Sequence, residues 1–162
     1  MASTYQKIAT TTVSGSSTST VTLNSISGSY TDLVLISNWS NSSSSTDTVI
    51  RFNNDTGNNY SSTTLTGTGS SALSNRYSNT SGVYISYNTG TADRYGITQI
   101  QNYSNTTTYK TFLNRGNSAS IDVQAVVGLW RNTAAITRID LVNNLGVFNA
   151  GSTFTLYGIL KA

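Results

Sequence analysis

The stretch "DRYGITQIQNYSNTTTYKTFLNRGN", residues 93–117, alternates apolar or aromatic with polar side chains on either side of a threonine-rich break. Period-two alternation belongs to an extended strand, and two such runs around a short polar loop make a β-hairpin. Taking Ser104 to Thr108 as the loop sets Tyr103 opposite Tyr109, an aromatic cross-strand pair. In that register Ile100 faces Phe112, and this side reads as core. On the other side Gln99 and Gln101 face Leu113 and Thr111, with Tyr95 and Arg115 further along. That second side mixes Tyr, Gln, Ile and Arg with few strong charges, closer to an interface than to a solvated surface.

Working outward, the same alternation recurs over 5–13, 19–26, 32–39, 47–53, 60–66, 82–87, 94–103, 108–115, 120–130, 135–142 and 153–160. Between these segments stand Gly, Asn and Ser clusters such as "NNDTGNN" at 53–59 and "TGTGSS" at 66–71. Two of the segments are apolar on both faces. "DLVLISNW" sets Leu33 and Leu35 against Val34 and Ile36, and "VQAVVGLW" sets Val123, Val127 and Leu129 against Val126 and Trp130. A sandwich strand needs only one apolar face, so these must be covered twice, by the rest of the domain or by another subunit. The closing run "GSTFTLYGILKA" has the same property, with Tyr157 and Ile159 opposite Leu156 and Leu160. It reads as a central strand, paired on both edges or buried against a neighbour.

Composition agrees. Ser, Thr and Asn make up roughly two-fifths of the 162 residues, only 9% are charged, and Glu, Pro, His and Cys are absent. Thr, Val, Ile and Tyr favour strands, while Asn, Ser and Gly favour turns. Disorder is the competing reading of such polar composition, but ten Tyr, four Phe and two Trp oppose it. The serine-rich segments 14–20 and 40–46 read as the loosest. The expected fold is one all-β domain over residues 1–162, an antiparallel β-sandwich, jelly-roll-like, of about ten to eleven short strands.

Much chemistry is excluded by what is missing. Without His or Cys there is no Ser-His-Asp or Cys-His nucleophile and no thiolate or imidazole metal site. The six acids, Asp32, Asp47, Asp55, Asp93, Asp122 and Asp140, are candidates for paired-carboxylate hydrolysis only because there are no others. Asp32 and Asp93 are explained by turn capping and by ion pairing with neighbouring Arg94. No catalytic residue, metal or cofactor is expected. In the loop 53–59 the Asn and Asp side chains offer weak calcium ligands, but a turn with Gly57 at positive φ accounts for them. The net charge is +3 and the nine basic residues are scattered singly, so no nucleic-acid footprint forms. No segment reads as a signal peptide or membrane span, which is expected of a protein made in a cytoplasm.

The tyrosines admit three readings. Tyr84, Tyr87, Tyr95, Tyr103 and Tyr109 suit a sugar-stacking platform, a subunit interface, or ordinary half-buried sandwich positions. Tyr84, Tyr87, Tyr95, Gln99, Gln101, Tyr103, Tyr109 and Arg115 are the candidate interface or ligand contacts.

Several stretches taken together resemble a family of small virion proteins of tailed bacteriophages infecting aquatic bacteria. They are "YTDLVLISN", "RFNNDTGNNYSST", "QNYSNTTTYKTFLNR", "VGLWRNTAAITRIDL" and "GSTFTLYGILKA", with an opening like "STYQKIATTTV". The resemblance runs nearly end to end. It implies a β-rich component of the virion surface, assembled in the host cytoplasm and trimeric, with no catalytic residues to carry over. Two functions are open on this basis. One is a capsid decoration, or cement, protein bound to a phage capsid or tail protein. The other is the glycan- or receptor-binding head of a tail or head fibre. Neither expects nucleic acid or a membrane as partner.

Overall fold

The computed structural model describes residues 4–15, 18–43, 46–87 and 91–160. Twelve strands follow one another: β1 (Tyr5–Thr12), β2 (Thr20–Leu23), β3 (Asp32–Trp39), β4 (Asp47–Phe52), β5 (Tyr60–Gly67) and β6 (Ala72–Thr80). They continue with β7 (Val83–Ser86), β8 (Arg94–Ile100), β9 (Lys110–Ser118), β10 (Asp122–Trp130), β11 (Ile139–Asn144) and β12 (Thr153–Ile159). Eight of them form one antiparallel sheet in the order β1-β12-β3-β8-β9-β10-β5-β6, and four form a second in the order β2-β11-β4-β7. The chain is therefore a β-sandwich. The strands divide eight and four, and the jelly-roll refinement goes beyond what this order carries.

Each of the eleven expected segments holds a strand. The twelfth, β6, was hidden because "ALSNRYSNT" lacks an apolar face to announce it. It lies at the sheet edge, where both sides of a strand are open and hydrophobic alternation is not required. The closing run behaves as read: β12 is paired on both edges, with β1 and with β3. Of the serine-rich segments, residues 16–17 and 44–45 lie outside the described residues. Part of the second is well anchored, since Asn41 is fully buried and accepts a hydrogen bond from Asn143 Nδ2 at 2.7 Å.

The β8–β9 hairpin has the expected register, Gln99 opposite Leu113 and Ile100 opposite Phe112. Its end corrects the expectation. β8 stops at Ile100, and Asn102 takes a left-handed backbone (φ 50°) that turns the chain. Tyr103 then swings into the core, fully buried, where its hydroxyl donates to Ser27 O and accepts from Tyr30 N. The Tyr103–Tyr109 pair does not form. Burying a whole tyrosine ring stabilises more than one exposed cross-strand pair would.

The core lies between the sheets. Its densest part is an aromatic cluster in which Phe52 meets Phe112 edge-on at 5.5 Å and Trp130 at 5.6 Å, with Tyr60 stacked on Trp130. A second group joins Trp39, Phe148 and Phe154. Two buried polar features hold the architecture. Arg94 Nη1 donates to Asp122 Oδ1 at 2.6 Å, joining β8 to β10. The partner of Arg94 is thus Asp122 and not the adjacent Asp93, because alternation sends Arg94 inward toward the strand two places away. Lys110 is also buried, its ammonium donating to Thr108 O and Thr133 O. Desolvation pushes its pKa down.

Candidate functional site: a bare sheet face and a tyrosine-walled groove

The unequal sheets create two surfaces. The first is the outer face of the eight-stranded sheet, against which no other described element packs. Strand register orders its side chains in rows. One row runs Lys7, Tyr157, Val34, Gln99, Leu113, Val127, Thr63, Arg76. The next runs Thr10, Thr155, Ile36, Ile97, Arg115, Ala125, Leu65, Ser74. A third contains Asn38, Tyr95, Asn117 and Val123. The strands that read as apolar on both faces are so: Leu33 and Leu35 are fully buried, while Ile36 is 45% exposed on the outside. Likewise Val126 and Trp130 are buried, whereas Val123 and Val127 are 61% and 54% exposed. Ile97 and Ala125 thus flank Arg115 in its row, with Leu113 beside it along β9, near the middle of the sheet. Along the first two rows the charges are Lys7, Arg76 and Arg115, all cationic.

The second surface is a groove of about 300 Å³ on the inner side. β7 is the edge of the small sheet and packs over β9, β10 and β5, so β6 projects past it. The inner side chains of β5 and β6 change character there. Tyr60 belongs to the core, but Thr64, Thr66, Asn75 and Tyr77 line the groove. Tyr84 on β7 and Tyr87 just beyond it complete a wall of three rings, with centroids 5.8 Å (Tyr77–Tyr84), 6.3 Å (Tyr77–Tyr87) and 5.9 Å (Tyr84–Tyr87) apart. Gln124, nearly buried, donates from Nε2 to Asp122 Oδ2 at 2.6 Å. Desolvation, then the neighbouring Tyr87, Asp47 and Tyr84, push the Tyr77 hydroxyl pKa up.

The structure therefore separates the candidate residues. Tyr95, Gln99 and Arg115 share the outer face; Tyr84 and Tyr87 share the groove. Gln101 is exposed in the turn after β8, and Tyr109 is exposed where the chain enters β9. Tyr103 is withdrawn from the set by its burial. Sequence reasoning missed Tyr77, Asn75 and Leu73, all on the unrecognised β6. The faint signal was their spacing by two, which sets them on one face.

The loop 53–59 is a closed turn. Asp55 Oδ1 accepts from Gly57 N at 2.8 Å, and Oδ2 accepts from Asn59 Nδ2 at 2.9 Å and from the Trp130 indole at 2.8 Å. Asn53 and Asn54, not Gly57, adopt positive φ (52° and 57°), which asparagine tolerates because its amide can bond locally. Asn53 Oδ1 accepts from Thr137 N and Arg138 N, binding this loop to the approach to β11. Burial pushes the Asp55 carboxyl pKa up, but hydrogen bonds from Trp130, Asn59 and Gly57 outweigh it and hold the value below its usual range. A folded-state pKa lowered in this way adds stability above the unfolded value of about 3.9, and that contribution is lost as pH falls through the folded value. Asp55→Asn sets an amide hydrogen against one of three donors, so it is expected to cost about 2 kcal/mol near neutral pH. It should also flatten the acid limb of a melting-temperature profile; an unchanged melting temperature at pH 7 would refute this role.

Asp32 and Asp140 are similarly engaged. Asp32 accepts from Asn102 N, capping the turn after β8 as expected, and Asp140 accepts from Arg138 and Thr22. Comparison with protein-family models and with characterised proteins finds no match for this chain.

Proposed function

We propose that this chain is a structural protein of the bacteriophage virion surface, a capsid decoration protein that seats on the shell and works as a homotrimer. The observation that carries the need for a partner is the outer face of the eight-stranded sheet. Large apolar patches left bare on a soluble domain mark interaction surfaces, since water contact with them is unfavourable by roughly 25 cal/mol per Å². The phage setting comes from the end-to-end resemblance.

The charges on that face bear on the form of assembly. Packing it against its own copy about a two-fold axis through its middle would set Arg115 beside the copy's Arg115, with no carboxylate in its row to offset the pair. A heterologous contact, in which two different surfaces meet around a ring or on a shell, avoids that repulsion. Arg115 amid aliphatic side chains fits a partner presenting an acidic group within an apolar surround.

Quantitative mass spectrometry of purified particles tests this reading. The chain is expected in numbers comparable with the capsid subunit, and Val127→Asp, which puts a charge on the bare face, is expected to strip it from particles without unfolding it. A copy number of a few per particle would overturn the decoration role.

A further inference from the structure

We propose that the groove walled by Tyr77, Tyr84 and Tyr87 is a binding site for a neutral saccharide, on the opposite side of the large sheet from its apolar face. This inference is independent of the assembly reading, because the two surfaces share no side chain.

Three observations carry it. The first is the change in chemistry along the inner face. Facing the small sheet, the inward positions include Phe112, Val126 and Trp130, and the polar Asn114 among them is closed off by bonds to Thr98 Oγ1 and Ile85 O; past its edge Thr64, Thr66, Asn75 and Gln124 line the groove. Past the edge these hydroxyl and amide groups line an open groove, where they can both donate and accept.

The second is the aromatic wall. Tyr84 and Tyr87 meet nearly edge-on, at 83°, while Tyr77 and Tyr87 are inclined at 33°. Each ring therefore braces the others, and Tyr87 still exposes half of its surface. A braced aromatic face beside convergent polar groups suits a ligand with one apolar C–H face and a rim of hydroxyls, which describes a pyranose ring.

The third is charge. Asp122 is the charged side chain lining the groove, and it is neutralised by Arg94 at 2.6 Å. Among the described residues that line it, no other charged side chain is present to hold a phosphate, sulfate or sialic carboxylate, or a cation. About 300 Å³ sits at the lower end of small-ligand sites, matching a terminal sugar or short oligosaccharide over a long chain.

The test is an array of neutral hexose and N-acetylhexosamine oligosaccharides with their sialylated and sulfated counterparts, probed with the full chain. Titration of the strongest neutral binder follows. Tyr87→Ala and Asn75→Ala alter exposed side chains, so both should fold, and each is expected to weaken binding roughly tenfold. Val127→Asp should leave binding unchanged while changing assembly. A blank array with folded protein would overturn the site. So would preference for the anionic sugars, or binding that survives the Tyr77→Ala/Tyr87→Ala double substitution.

Discussion

Replacing Asp122 with alanine is expected to lower the stability of the fold by about 3–5 kcal/mol, the usual cost of leaving half of a buried ion pair behind. Arg94 is only 1% exposed, and its Nη1 has the Asp122 carboxylate as partner. Its Nε and Nη2 have no hydrogen-bond partner among the described residues. Without Asp122 a guanidinium would remain in a low-dielectric interior with nothing to compensate its lost hydration. Gln124 would lose its acceptor at the same time. For a domain of this size the melting temperature should fall by on the order of 10 °C. The double substitution Arg94→Met/Asp122→Leu removes both charges and fills similar volume, so it should recover most of the loss. If the single variant melts within a degree or two of the wild type, or the double is no better than the single, the pair does not hold β8 to β10 as argued.

The second large effect is expected at Gly128. It sits on β10 directly opposite Phe112 of β9, and the phenyl ring lies across the glycine. A Cβ built there would overlap three atoms of that ring. Phe112 cannot give way cheaply, because Phe52 meets it edge-on at 5.5 Å and is itself packed on Trp130. Gly128→Ala therefore overpacks the tightest part of the core and should cost about 3 kcal/mol, at the upper end for added methyl groups. Phe112→Leu in the alanine background makes room and should restore part of the stability. Chemical denaturation of the three variants measures both effects. An alanine variant as stable as the parent would mean the ring moves freely and the cluster is looser than described.

Residues 93–117 show how far alternation reaches and where it stops. Period two placed Gln99 against Leu113 and Ile100 against Phe112 correctly, since a one-residue slip would have turned Phe112 to solvent. The same rule failed at Tyr103, because nothing local says that a strand ends when a neighbouring element, here the 27–30 turn, offers its ring a buried place. β6 failed for the converse reason. A strand whose outer edge and faces meet water carries little hydrophobic pattern, and with it went Tyr77, the ring that turns Tyr84 and Tyr87 into a wall.

By itself, then, the order of side chains determined that this protein is all-β and that β3 and β10 carry apolar groups on both faces; that β12 pairs on both edges, with β1 and β3, came from the tertiary structure. The first two properties depend on the alternation of residues within single strands. Which face was covered, which tyrosines met, and that Arg94 reached past Asp93 to Asp122 were decided by the tertiary structure alone. Eight strands packed against four leave one sheet face and one overhang open, and a sheet's partner, unlike a strand's alternation, is written nowhere in its own residues.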